Sequence, residues 1–160
     1  MLPEAHIALA DIYTSNSKPD EALAECQKEL ELNPDSSAAK TRIGRIYLQQ
    51  RDPEKAIPYL QEALRQNPDD ANATADLGSA MELRGDTARA IVEYQKAIKL
   101  DPSLNRLHYV LARLYRKMEK PDLAERENQL FRDNEATARQ QGLERLRQLR
   151  ESGIPKATGE

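Results

Sequence analysis

Hydrophobic and small residues recur along the chain with a period of 34 residues. One slot holds leucine or isoleucine, the next holds alanine or glycine, and a third, further on, is mostly tyrosine. The same period separates Pro34, Pro68 and Pro102. A period of roughly 20–50 residues is typical of a solenoid of stacked supersecondary units. The slots are Leu9, Ile43, Leu77 and Leu111; Ala10, Gly44, Gly78 and Ala112; Tyr13, Tyr47, Met81 and Tyr115; and Ala22, Ala56, Ala90 and Ala124.

Each period predicts two helices. In residues 37–50, the apolar side chains return at the spacing of one helix face. A break follows, and Pro19, Pro53 and Pro121 stand where the first turn of a second helix tolerates proline. The second helix should stop before the next recurring proline, because the residue preceding a proline is driven out of helical conformation.

These residues resemble the tetratricopeptide repeat family over residues 3–124 at least. The resemblance implies an all-α fold: a right-handed superhelical solenoid of four antiparallel helix pairs with a C-terminal extension helix. The tryptophan slot of the family holds other residues here, and Glu29 stands in an alanine slot. After Ala124 the agreement fails, so we expect the last helix to continue to about residue 150, with a possible bend at Gly142.

The expected repeats are 3–36, 37–70, 71–104 and 105–134, within a domain of residues 1–134; the extension is 135–151 and a disordered tail is 152–160.

Composition narrows the class of protein. Hydrophobic residues make up 39% and charged residues 32% of the chain. We expect no signal peptide, because the start has neither a basic n-region nor a cleavage site. We expect no membrane insertion, because no apolar run approaches the roughly 18 residues of a span; the compartment stays unknown. The net charge of −3 is uneven: residues 1–34 carry seven acids and two bases, whereas residues 105–160 carry nine acids and twelve bases. Ends of opposite sign favour head-to-tail contact or orient a charged partner.

No arrangement of residues in the sequence predicts a catalytic, metal or cofactor site. His6 and His108 occupy the same slot three periods apart, so they cannot form a pair and should pack between helices. Cys26 is expected to be a small buried hydrophobe, and the acids at 67–70 should cap a helix. We therefore predict no catalytic residue, no metal and no cofactor, and a protein that is not an enzyme. Nucleic-acid binding is not expected either, because the chain is acidic overall.

The resemblance implies that the first helices line a concave groove in which peptides bind. The leading hypothesis is thus a protein–protein interaction scaffold, whose arginines would favour an acidic partner segment. A branch of the family that grips the carboxylate of chaperone tails is not matched, because Asp11 and Asp76 would repel it. The predicted groove residues are Asp11, Arg42, Arg45, Asn72, Asp76, Ser79, Arg106, Tyr109, Arg113 and Arg116.

The alternative hypothesis is a self-assembling structural element. Leu2, Ala5 and Ile12 occupy slots that should pack on a preceding repeat, which leaves an apolar edge open. Such an edge could be covered by another copy, giving a homo-oligomer. It could instead be the continuation point of a longer repeat array.

Overall fold

The computed structural model describes the backbone of residues 3–152 and the side chains of residues 5–151. Within those residues all regular secondary structure is α-helical, and they divide into two compact units, the first ending at Leu104 and the second beginning at Asn105. Leu2 and residues 153–160, most of the expected tail, lie outside the described residues. The helices are α1 (Pro3–Ser15), α2 (Pro19–Leu32), α3 (Ser37–Gln49), α4 (Pro53–Gln66), α5 (Ala71–Leu83), α6 (Thr87–Leu100), α7 (Arg106–Lys117) and α8 (Pro121–Ser152).

Local sequence sets the helix boundaries. The second helices α2, α4 and α8 begin at the predicted prolines Pro19, Pro53 and Pro121. Proline is tolerated there because it lacks an amide hydrogen, and amides in the first turn of a helix have no partner within the helix. Side chains cap other starts: the Asp70 carboxylate accepts from the Ala73 amide 2.9 Å away, as predicted for this acid cluster. The C-cap residues of α2, α4 and α6 are Asn33, Asn67 and Asp101, and each stands directly before a recurring proline.

The first unit is a stack of three helix pairs. α1 packs on α2, α3 on α4 and α5 on α6, while α2 also contacts α3 and α4 contacts α5. The helices meet at small residues: Ala56 and Ala90 are 0% exposed. A Cβ atom on Gly44 would lie 2.6 Å from Leu60 Cγ, and one on Gly78 would lie 2.9 Å from the Tyr94 ring. The alanine and glycine slots therefore mark the closest approaches between helices.

The second unit is the pair α7 and α8. Ala124 is 2% exposed, and the rings of Tyr109 and Phe131 lie 6.0 Å apart. α8 is far longer than α7 and runs through Gly142 without interruption. Every side chain from residue 132 to residue 151 is exposed. The predicted fold class, an all-α array of helix pairs with a C-terminal extension, is confirmed by these elements.

Candidate binding face

In the first unit, the first helices of the three pairs lie side by side. α1 contacts α3, and α3 contacts α5. Six predicted groove residues belong to these helices, and their surface is called the first-helix face below. They are Asp11, Arg42, Arg45, Asn72, Asp76 and Ser79.

Two ion pairs join the three helices of this face. The Arg42 guanidinium donates to both carboxylate oxygens of Asp11, with Nη2 2.8 Å from Oδ2. The Arg45 guanidinium donates through Nε and Nη2 to Asp76 Oδ2, at 3.0 and 2.8 Å. Both pairs span 31 residues, three fewer than the repeat, so each links two different slots of successive first helices. Asp11 shares its slot with Arg45 and Arg42 shares its slot with Asp76, so the second pair repeats the first with the charges exchanged. α3 supplies both cations, and its two neighbours supply one anion each.

Burial and pairing act on these groups in opposite directions. Burial raises the pKa of Asp76, and the charge and hydrogen bonds of Arg45 counteract part of that rise. The hydrogen bond to Asp11 raises the pKa of Arg42. Both arginines are therefore held by partners within the chain, and the Asp76 carboxylate depends on Arg45 for compensation.

This pairing changes what the face offers to a partner. Arg42 and Arg45 were expected to attract an acidic segment, but their charges are already met by Asp11 and Asp76. Asp11 and Asp76 were expected to repel carboxylates of a partner, but their own charges are neutralised by the same two arginines. A recess of about 200 Å³ lies beside the pairs, between α1 and α3. Its lining residues are Asp11, Thr14, Ser15, Arg42, Arg45 and Ile46.

The face also carries small, uncharged side chains. Ala8, Ala38 and Asn72 are exposed. Ser79 is half-buried, and the Tyr94 hydroxyl donates to its Oγ over 3.1 Å. Small exposed side chains allow another backbone to come close, and the Asn72 amide can both donate and accept hydrogen bonds.

The other four predicted groove residues are on α7, in the second unit. Arg106, Tyr109, Arg113 and Arg116 are all exposed. Arg116 Nη2 lies 3.5 Å from Asn128 Oδ1, and Tyr109 stacks at a tilt on Phe131. The expectation of an acidic partner segment now depends on these arginines alone.

Sequence reasoning missed a set of polar pairs in the interior. The slot where the family has tryptophan holds His6, Lys40, Thr74 and His108. The two histidines and Lys40 each contact a glutamate of the following second helix, whereas the Thr74 hydroxyl donates to the Asp70 carbonyl. His6 Nδ1 lies 2.7 Å from Glu25 Oε2, and His108 Nδ1 lies 2.7 Å from Glu127 Oε2. The expected packing role thus includes a hydrogen bond. The repeated spacing of 19 residues from histidine to glutamate was the available signal.

The first repeat contains a further buried acid. Glu29 is 3% exposed, and its Oε2 has no hydrogen-bond partner among the described residues. Its slot is alanine in the next two repeats. Nearby, Cys26 is 0% exposed, as expected, and burial raises the pKa of its thiol to about 11.

The outer face of α1 is open. Ile12 is 55% exposed, whereas Ile46 in the same slot of α3 is 1% exposed. Ala5 is exposed, whereas the equivalent Ala39 is 0% exposed. In α3 the slot is filled from α2, because Ile46 packs in one cluster with Ala22 and Cys26.

The described residues hold neither a cluster of metal ligands nor a membrane-spanning helix. Residues 5–151 contain no group of three or more histidine, cysteine, aspartate or glutamate side chains arranged to hold a metal ion. None of the helices over residues 3–152 combines the length and the apolar character that crossing a membrane would require.

The chain is similar to known proteins in its repeat sequence and in its fold. Two family models described as tetratricopeptide repeat match the chain, one over residues 3–36 and the other over residues 41–105. No curated protein matches the chain by sequence.

Several solved structures are similar in fold. A crystal structure of MamA has a TM-score of 0.80 and 23% identity, covering 86% of this chain and 81% of that chain. The structure "MamA 41-end" from Desulfovibrio magneticus RS-1 has a TM-score of 0.78 and 24% identity, covering 85% and 77%. At these identities the likeness concerns the fold alone.

Proposed function

Because the chain belongs to the tetratricopeptide-repeat family, we propose that it is a protein–protein interaction scaffold that binds a segment of a partner protein on the first-helix face. Repeat arrays of this kind present extended surfaces suited to such segments. The observation that carries the proposal is the pair of salt bridges, Asp11–Arg42 and Arg45–Asp76, that link α1, α3 and α5.

These ion pairs hold the face ready for a ligand. Each bridges two helices, so together they restrict sliding and rotation of the three helices relative to one another. A surface fixed before binding loses less conformational entropy when the ligand arrives. The exposed Ala8, Ala38 and Asn72 lie on the same helices and leave room for a peptide backbone.

The ion pairs also set the chemistry of the segment. A carboxylate on the ligand would have to compete with Asp11 and Asp76 for their arginines, so the first-helix face suits an uncharged or mixed-charge segment. Asn72 offers hydrogen bonds to its backbone. A separate preference for acidic side chains is proposed for α7, where Arg106 and Arg116 are exposed.

The test is a selection of random peptides displayed against the purified chain, followed by affinity measurements on variants. Asn72→Arg fills the proposed surface, and because Asn72 is exposed the variant should fold normally. The matched control is Lys96→Glu, an exposed charge reversal on α6. We expect the selected peptides to lose at least about tenfold in affinity for Asn72→Arg and to bind Lys96→Glu unchanged. Equal binding to Asn72→Arg and the parent chain would refute the assignment of the face.

Self-association is a second candidate function. Ile12 favours it, because a half-exposed isoleucine in a slot that is buried elsewhere in the chain leaves apolar surface to cover. Sedimentation velocity over a wide concentration range tests it directly. A mass that stays monomeric at all concentrations would exclude this function.

A further inference from the structure

The distal part of α8 carries leucines that are mostly exposed. Leu143 and Leu146 are 63% and 65% exposed, and Leu149 is 61% exposed. A Cβ atom on Gly142 would meet nothing within 4 Å. At 100° per residue, Gly142 and Leu146 continue the helix face that carries Ala124 and Phe131 against α7. The packing face of α8 therefore extends beyond the end of α7.

The rest of α8 does not offer the same surface on this side of the helix, because its exposed leucines, Leu123 and Leu130, lie more than about 120° round the helix from Leu143 and Leu146. Glu125 stands in the slot that holds Ile57 in α4, and it accepts from Arg132 Nη2 over 2.7 Å. A charged pair at this position disfavours the apolar stacking used by the earlier second helices. The apolar surface of α8 is thus concentrated in residues 136–152.

The outer face of α1 is the complementary open surface. In α3 the slot of Ile12 is occupied by Ile46, which is covered by α2, the preceding second helix. A second helix laid on a first helix is therefore the junction that this chain already uses. α8 is a second helix with an open apolar end, and α1 is a first helix with an open apolar face.

The charges at the two ends of the chain are opposite. Residues 1–34 carry seven acids and two bases. Asp11 on α1 is paired with Arg42, but Asp20, Glu21 and Glu31 on the adjoining α2 are exposed. Residues 136–152 carry four arginines and two glutamates. Opposite charge steers two such surfaces together and discourages the pairing of like ends. The opposite charges therefore favour a contact between α8 of one copy and α1 of another over a contact between two α8 helices.

We infer that the distal segment of α8 in one copy docks on the outer face of α1 in a second copy, with Leu143 and Leu146 against Ile12. This inference rests on the second proposed function, self-association, and names the surface that α1 meets. The contact is heterologous, because different surfaces meet, so further copies can add head to tail. One helix laid on another buries less than the roughly 1,200 Å² of a stable interface. The association is accordingly weak, concentration-dependent and sensitive to salt.

The experiment is sedimentation velocity on the chain and on two single variants, Ile12→Glu and Leu146→Glu. Both positions are exposed, so each variant should keep the circular dichroism spectrum and melting temperature of the parent chain. We expect each variant alone to lose self-association by at least about tenfold. Val92→Glu is the matched control, because Val92 is 60% exposed on α6 and should associate like the parent chain.

Mixing the two variants decides the geometry. Ile12→Glu retains an intact α8, and Leu146→Glu retains an intact α1, so an equimolar mixture should form a one-to-one pair that cannot extend. Loss of association in Leu146→Glu only would indicate pairing of two α8 helices and overturn the inference. Association of Leu146→Glu at the level of the parent chain would also overturn it while leaving self-association intact. A parent chain that stays monomeric would refute the second proposed function itself.

Discussion

The first helix pair differs from the other two pairs of the first unit in how equivalent slots are buried and in what fills them. One slot holds Ile12, 55% exposed, where α3 has Ile46, 1% exposed. Another holds the buried acid Glu29 where α4 and α6 have Ala63 and Ala97, 1% and 0% exposed. The second and third pairs bury these slots closely, whereas the first pair leaves one face uncovered and holds a buried acid. The first pair thus keeps the isoleucine of the repeat pattern but leaves that position open for interaction.

The largest expected difference between the pairs concerns the isoleucine slot. Ile46→Glu should destabilise the chain by at least about 4 kcal/mol, because it buries an uncompensated charge. Ile12→Glu should change the free energy of unfolding by no more than about 0.5 kcal/mol, because the side chain is already half in water. Urea denaturation of both variants at a concentration where the chain is monomeric measures the difference. Equal and severe destabilisation would show that the α1 face is covered within the chain.

Overpacking at the alanine slot should give the next largest effect. Ala56→Leu is expected to cost about 1–3 kcal/mol, because Ala56 is 0% exposed between close helices. Ala22→Leu, in the same slot of the first pair, should cost less, because α1 can shift toward its open side. Thermal melts of the two variants provide the comparison. An unchanged melting temperature in Ala56→Leu would contradict the close helix contact.

Removing the buried acid of the first pair should have the opposite sign. Glu29→Ala is expected to stabilise the chain by about 1–2 kcal/mol, because it removes a buried oxygen without a hydrogen-bond partner and restores the residue found in α4 and α6. Chemical denaturation gives the change directly. Glu31→Ala, at an exposed position of the same helix, is the control and should have little effect. Destabilisation by Glu29→Ala would mean that the carboxylate has a structural role.

The smallest effect should be an acid sensitivity of the first pair. The Lys28 side chain, followed by His6, lowers the pKa of Glu25 below its ordinary value near 4.5. A carboxylate with a lowered folded pKa contributes stability that is present above the ordinary value and is lost as the pH falls through the folded one. Between about pH 5 and pH 3, the parent chain should therefore lose more stability than Glu25→Gln. Parallel losses in the two proteins would contradict the assigned pairing.

The helix boundaries and the packing slots could be predicted from the sequence because they depend on local rules. Prolines at helix starts and ends act within a few residues, and the 34-residue period reports which side chains share an environment. The burial of Ala56 and Ala90 followed from that period alone.

The pairing of charges could not be predicted in the same way. A repeat register shows that Asp11 and Arg45 share a slot, but it does not show that Asp11 contacts Arg42 of the next repeat. That contact depends on the offset between neighbouring helices, which the packed small residues set. The register alone therefore predicted free arginines where the structure has two salt bridges. The same limitation concealed the contacts of His6 and His108 with glutamates.

The central claim is that partners bind on the first-helix face, and a pair of site-specific fluorophores tests it most directly. Cys26 is the only cysteine in the chain; it is buried and its pKa is raised to about 11, so an introduced exposed cysteine can be labelled selectively. One dye is placed at Ser15→Cys on α1, an exposed position that lines the recess beside the ion pairs, and the other at Lys96→Cys on α6; each labelled chain is titrated with a selected peptide. The account predicts a saturating change in emission from the dye at position 15 and none from the dye at position 96. A saturating response at position 96 with silence at position 15 would place the binding surface on the second helices and contradict the claim.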